Sequence, residues 1–425
     1  MEIIHAPDLN RNFFRFKEAG ESSSVKEIIA AVRQYGDRAV FEYTAQFDSV
    51  QMSEILLDKN TVSAAYDDID SETVQALKKA AFNIQAFSEL QKEQLQDFET
   101  ELTPGVTTGQ RVIPLQRIGV YVPGGRFPLA STLLMCAVPA RVAGVGEIAV
   151  CSPPTYRGNI HPAILVAADI AKVDEVYQMG GVQAVAALAY GTESVKRVDK
   201  IVGPGNKYVA QAKKEVFGVV GIDFIAGPTE VLILADDTAN PEFLAADLLA
   251  QAEHDSDAVP ILVTSSESLA QKVDQAIQRQ LPALKNREIA KSSLHNNGLI
   301  ILVQSLTEAV SLINRKAPEH LQLQIRNPGR IIPELRNYGS LFIGELAGEV
   351  LGDYSSGINH TLPTNGSARY TSGLSVRDFL KLATTLQVSR EGFESIAPVA
   401  EILAETEGLH GHGKSIKIRR ERLEE

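Results

Sequence analysis

Residues 117–125 read RIGVYVPGG. A β-branched and apolar run that ends on Pro-Gly-Gly has the composition of a strand entering a turn. The chain continues at 128–144 as PLASTLLMCAVPARVAG, mostly small and apolar, and short apolar runs recur at 147–151, 175–177 and 200–202. Strands that are apolar along their whole length and separated by helices predict a largely parallel sheet with β/α connections. Each run ends near glycines or small polar residues, where open parallel sheets place ligands.

Outward from this stretch, a second β/α region begins near 224. FIAGPTEVLILAD (224–236) holds a glycine turn and the strand candidate VLILA, and VPILVT (259–264) and LIILV (299–303) are further strands. Asn240 followed by Pro241 predicts a capped helix start. On the amino side, Ser24 is expected to cap a helix with Glu27 at the reciprocal position, and Val25, Ile28, Ile29 and Val32 have helical spacing. Helix-forming sequence runs on to about 97 without convergent chemistry. The last 65 residues turn irregular and polar before a helix-like segment around 395–407. The two halves read as two α/β layers in one chain of 425 residues, with a tail that packs across another domain or subunit.

Lys and Arg number 41 against 53 Asp and Glu, a net charge of −12, which argues against a nucleic-acid partner. The short basic run at Lys417, Arg419, Arg420 and Arg422 is followed by acids and reads as solvated. No apolar run approaches the roughly 20 residues of a membrane span, and the amino terminus lacks the pattern of a secretory signal. Cys136 and Cys151 read as two reduced core thiols. The expectation is a soluble cytoplasmic protein.

Several segments carry candidate chemistry beside a plainer reading. DLLAQAEHD sets Gln251 and His254 three apart on one helix face, suited to a metal or to ordinary hydrogen bonding. Asp353 and His360 in GDYSSGINH and His412 in LHGHG offer further ligands, with His410 beside it, although spacing cannot unite them. KAPEHL places Glu319 next to His320, an acid–base pair or a helix cap with a packed imidazole. VGPGNKYV (202–209) passes from a strand through Gly203 and Gly205 to Asn206 without the usual dinucleotide pattern. Tyr121 can stack on a cofactor or be buried in a hairpin, and Gln183 can reach a base edge or sit on a helix face. Ser131, Thr132 and Thr229 offer hydroxyls to substrate or to caps, and Glu407 a carboxylate to a cationic or imidazole-bearing substrate or to solvent. No GxSxG elbow or P-loop is present, which argues against an esterase or ATPase.

Taken together, VRQYGDRAV, GVYVPGG, PARVAGV, GGVQAVAALAYGT, VGPGNKYV, IDFIAGPTEVLILAD, DLLAQAEHD, APEHL, GDYSSGINHTLPT and EGLHGH, in that order, resemble the histidinol dehydrogenase family across nearly the whole chain. The resemblance implies oxidation of L-histidinol through L-histidinal to L-histidine with NAD, beside a zinc ion. It implies zinc ligands at Gln251, His254, Asp353 and His412, and acid–base work at Glu319 and His320. Substrate contacts are implied at Ser131, Thr229, Gln251, His254, His320, Asp353, Tyr354, His360, Glu407 and His412, and NAD contacts at Tyr121, Gln183 and Asn206.

The implied fold is α/β, two incomplete Rossmann-like domains with small terminal domains in an aldehyde-dehydrogenase-like architecture. Residues 1–120 with 232–360 are expected to form the first unit with the amino-terminal helices, 121–231 the NAD-binding unit, and 361–425 a swapped tail. The resemblance further implies an intertwined homodimer in which the tail completes a neighbour's site. Thr229 stands where many members of the family carry Ser, and Ile358 where Pro or Thr is common. Such departures leave a related NAD-linked oxidation of another small polyol or sulfonated alcohol as the alternative, with altered contacts near Ser131, Arg126 and Glu407.

Overall fold

A computed structural model describes residues 1–14, 22–125 and 127–424; Arg126 lies outside them. In chain order the strands are β1 (Glu2–His5), β2 (Phe98–Thr103), β3 (Val106–Pro114), β4 (Arg117–Tyr121), β5 (Glu147–Ser152), β6 (Glu175–Gln178) and β7 (Lys200–Val202). They continue as β8 (Gly221–Ile222), β9 (Glu230–Ala235), β10 (Val259–Thr264), β11 (Leu299–Leu302), β12 (His320–Gln324), β13 (Ser340–Ile343) and β14 (Leu380–Val388).

The stretch around 117 starts a five-stranded parallel sheet of order β6-β5-β4-β7-β8. Alternate residues of β4 feed two cores. Ile118 and Val120 join Leu133, Leu134 and Ile164 on one face, while Tyr121 joins Ala149, Cys151 and Val185 on the other. Both faces are covered, which is why the strands are apolar throughout rather than in alternation. The strand order reverses between β4 and β7, so their carboxyl ends, PGG at 123–125 and GPGN at 203–206, flank a crevice of the kind that binds dinucleotides.

A six-stranded parallel sheet, β1-β11-β10-β9-β12-β13, repeats the plan, with its reversal between β9 and β12. Val231 and Ile233 face one core and Leu232 and Leu234 the other. The expected start at Asn240 holds: its side chain accepts from the Glu242 N–H at 3.0 Å, with Pro241 opening the helix Pro241–Ala252.

Other expectations need correction. The first helix, Ser23–Tyr35, is preceded by Ser22 rather than Ser24, and no side chain caps it; the Ser22 and Ser24 hydroxyls bond each other at 2.6 Å instead. The amino-terminal helices pack on the five-stranded sheet, not the six-stranded one. Val25, Ile28, Ile29 and Val32 enter the core shared with the helix Gly181–Tyr190, and Val74, Ala81 and Ile84 of Ser71–Glu93 enter the core on the opposite face. The expected boundaries at 120 and 231 fall inside β4 and β9, because the buried strand and not the chemistry sets the unit.

The irregular tail contains a nine-residue strand. β14 pairs antiparallel with β3 from Leu380↔Pro114 to Val388↔Val106, and β2 completes a three-stranded sheet. Leu102 and Leu386 are 70% and 65% exposed. With so little of β14 buried, its sequence shows no alternation, and the pairing rests on backbone hydrogen bonds to a strand far away in sequence.

Candidate active site

The helix Leu306–Lys316 ends at Ala317, whose φ of 53° turns the backbone out of the helix. Pro318 cannot continue a helix and favours extended backbone before it. Glu319 therefore precedes β12 and His320 opens it, at the amino edge of the six-stranded sheet. β9 starts alongside, with His320 in register with Val231, so Thr229 and Glu230 face the pair.

Glu319 Oε2 accepts from the Thr229 hydroxyl at 2.7 Å and from the Glu230 N–H at 2.8 Å. The Thr229 oxygen accepts in turn from Gln251 Nε2 at 2.9 Å. Both donors favour the ionised carboxylate, yet Glu319 is 5% exposed, and burial outweighs them, holding its pKa well above the usual range. His320 Nδ1 lies 3.1 Å from the Glu230 carbonyl oxygen. A carbonyl only accepts, so Nδ1 carries the proton and the neutral ring keeps its lone pair on Nε2. That Nε2 is buried without a partner, and burial holds the His320 pKa below its ordinary value.

Asp353 approaches from the short helix Glu349–Tyr354, with Oδ1 3.8 Å from His320 Nε2 and Oδ2 4.0 Å from His254 Nε2. His254 lies just beyond the helix that ends with Gln251 and Ala252. His360 Nδ1 bonds the Asp353 carbonyl oxygen at 2.8 Å, and its Nε2 meets the Thr132 hydroxyl at 3.1 Å. Thr132 belongs to the helix Ala130–Ala143 of the five-stranded unit, so the site bridges the two sheets. Burial lowers the His360 pKa as well.

Thr229, Gln251, His254, Glu319, His320, Asp353 and His360 thus converge. Thr132, rather than the neighbouring half-buried Ser131, reaches His360. Tyr354 is 55% exposed beside Asp353. Glu407 and His412 do not join the cluster within one chain: they line a groove between the helices Arg390–Thr406 and His410–Glu424. The LHGHG glycines sit in the first turn of the second of these helices. Among the described residues no three His, Cys, Asp or Glu side chains form a metal-holding group. Glu230 escaped the sequence reading. It is 2% exposed and pairs with Lys316, and no spacing rule connects residues 86 positions apart.

The proposed cofactor residues lie along the carboxyl edge of the five-stranded sheet. Tyr121 ends β4, a parallel strand and not a hairpin, and its hydroxyl accepts from the Gly181 N–H at 3.1 Å. Gln183 is fully buried, and neither amide atom has a partner. Asn206 caps the helix Lys207–Val216, accepting from the Tyr208 and Val209 N–H groups at 3.0 and 3.1 Å.

The histidinol dehydrogenase family model matches residues 14–420. A histidinol dehydrogenase of Lactiplantibacillus plantarum is 48% identical over 93% of this chain and 92% of its own. One of Chlorobium chlorochromatii is 48% identical over 95% and 94%. The crystal structure of histidinol dehydrogenase from Elizabethkingia anophelis superposes with a TM-score of 0.95 at 38% identity, covering 100% of this chain and 99% of that one. Sequence and fold agree along the whole length, and the chain belongs to the histidinol dehydrogenase family.

Proposed function

We propose that this chain oxidises L-histidinol through L-histidinal to L-histidine, reducing two NAD per turnover, with Glu319 and His320 moving the protons. The observation that carries this reading is the buried His320 Nε2, free of partners and fixed in the accepting tautomer. A neutral imidazole there takes the alcohol proton as the C–H hydrogen departs as hydride. Asp353, 3.8 Å away, stabilises the imidazolium that results. Glu319, held by Thr229 and the Glu230 N–H, takes a proton from the water that adds to the aldehyde; its raised pKa makes the ionised form a stronger base. His320 accepts again in the second oxidation. Relatives of that name at 48% identity favour histidinol over another small alcohol.

The residues present fit both implied groups. Two ligands of one zinc ion lie at most about 4 Å apart, given bonds near 2 Å, and His254 Nε2 and Asp353 Oδ2 satisfy this at 4.0 Å. Gln251 gives its amide nitrogen to Thr229, leaving its oxygen as a third donor. Gln251, His254 and Asp353, with His412 of a second copy, would hold the zinc ion, which would supply a Lewis acid for the amino alcohol and its imidazole. NAD supplies the hydride acceptor. Its site is supported by the crevice beside Tyr121 and Asn206 and by the unpartnered Gln183 amide.

The intertwined dimer is supported by apolar surface left uncovered on the tail, where Val399, Ile402 and Leu403 are 59%, 63% and 55% exposed. Glu407 of a second copy then faces the substrate imidazole. Two buried free thiols support a reducing, cytoplasmic setting, and no helix among the described residues is long and apolar enough to cross a membrane.

The test is turnover of L-histidinol by zinc-loaded protein with NAD, following NADH and histidine together beside a panel of small alcohols. Two NADH per histidine are expected. Rapid turnover of another alcohol without any histidinol-dependent NADH overturns the assignment. Glu319→Gln should block the oxidation of supplied L-histidinal; unchanged aldehyde oxidation removes Glu319 from water activation.

A further inference from the structure

Lys213 and Asp223 form an ion pair inside the five-stranded unit, with side chains 2% and 1% exposed. Such a pair is a poor device for stability, because burying both charges costs several kcal/mol and apolar replacements are often neutral or stabilising. Its partners show what it holds. The Gly203 N–H donates to Asp223 Oδ2 at 2.8 Å, and Lys213 Nζ donates to the Gly203 carbonyl oxygen at 2.9 Å. Both backbone groups of one glycine are therefore gripped by one ion pair. Asp223 Oδ1 also accepts from the Phe224 N–H at 2.7 Å.

Gly203 needs that grip. Its φ of 109° lies where side chains rarely go, and a Cβ would run into the Tyr121 carbonyl oxygen. It is the first residue after β7, three before the Asn206 cap, on the lip of the crevice between β4 and β7. Without the pair its carbonyl and N–H would lose buried partners, and the peptide planes of the GPGN turn would be free to rotate.

We infer that Lys213 and Asp223 are positioning residues for the cofactor: the pair fixes the peptide planes of Gly203 so that the GPGN turn is ready to receive NAD. This rests on the reading that NAD binds at the carboxyl edge of the five-stranded sheet. Neither side chain touches the cofactor; both act through Gly203.

The test uses the full-length protein carrying Lys213→Met with Asp223→Asn, which removes both charges together and leaves no uncompensated ion. NAD affinity is read by titration calorimetry, together with KM for each substrate and the thermal midpoint. NAD binding should weaken about tenfold, the loss of one hydrogen bond to a charged group. KM for histidinol should stay near wild type while NAD binding weakens, a split that a merely structural pair would not produce, and an unchanged thermal midpoint shows that the variant is folded. Unchanged NAD affinity in the folded variant overturns the inference. A second measurement covers a variant that fails to fold: hydrogen exchange of the segment 200–206 in the cofactor-free wild type should show a protected Gly203 amide, and exchange at the unprotected rate overturns the inference independently. Wild-type protein that binds no NAD at all sinks the cofactor reading instead.

Discussion

Replacing Thr229 by Val removes a single hydroxyl that two partners share. The Thr229 oxygen donates to Glu319 Oε2 at 2.7 Å and accepts from Gln251 Nε2 at 2.9 Å. Val keeps the shape and loses both bonds. A hydrogen bond to a charged acceptor contributes about 1.5–3 kcal/mol, and about 1.4 kcal/mol corresponds to one pKa unit. The lost donor favoured the ionised carboxylate, so its removal raises further a pKa that burial already holds well above the usual range. Glu319 is then ionised only at higher pH. In rate profiles for the aldehyde step, measured as NADH formed from supplied L-histidinal, the acid limb should move up by roughly one to two units. Activity at neutral pH should fall about ten- to a hundredfold. Thr229→Ser keeps the hydroxyl and should restore the wild-type profile. A Val variant whose acid limb coincides with wild type would refute the claim that Thr229 sets the protonation of Glu319.

Three further outcomes follow from other parts of the structure. Lys316→Met strands Glu230, a carboxylate 2% exposed, and should cost about 3–5 kcal/mol of unfolding free energy by urea titration; a loss near zero would mean that the pair is open to water. Glu349 is 2% exposed, and burial raises its pKa well above the usual range. Because the folded value exceeds the unfolded one, the wild type loses stability as pH rises through that window, whereas Gln does not titrate. The thermal midpoint of Glu349→Gln relative to wild type should therefore climb as pH rises above the ordinary carboxylate range, and a flat difference would contradict the raised pKa. Glu319→Gln and His412→Ala should each abolish histidine formation from histidinol alone, and dissociating and mixing the two should bring it back. Absence of recovery would count against a tail that completes a second copy's site.

Much of the fold was legible along the chain. VLILA and VPILV are apolar at every position because β9 and β10 are covered on both faces, a pattern that needs no knowledge of the partner strand. Asn240 with Pro241 announced a helix start because a cap acts within a few residues. β14 gave no such signal, since its side chains stay largely exposed and its pairing depends on β3. The candidate site was legible as motifs and not as an arrangement. Thr229, Gln251, His254, Glu319, His320 and Asp353 could be named from ordered segments, but Lys316, Glu230 and Lys213 became meaningful only beside their partners.

The amino-acid sequence by itself determined the two parallel sheets, the family and most of the residues that converge at the candidate site, because burial patterns, caps and ordered motifs are local. The tertiary structure decided the rest. It set Glu319 and His320 at the amino edge of a sheet, joined Glu319 to Thr229 across 90 residues, and placed His360 against a helix of the other unit. It also placed Glu407 and His412 in a groove of the tail helices, apart from the converging side chains. Hydrogen bonds and desolvation act over a few ångströms of space and are indifferent to distance along the chain, so protonation and tautomer emerge only once the chain has folded.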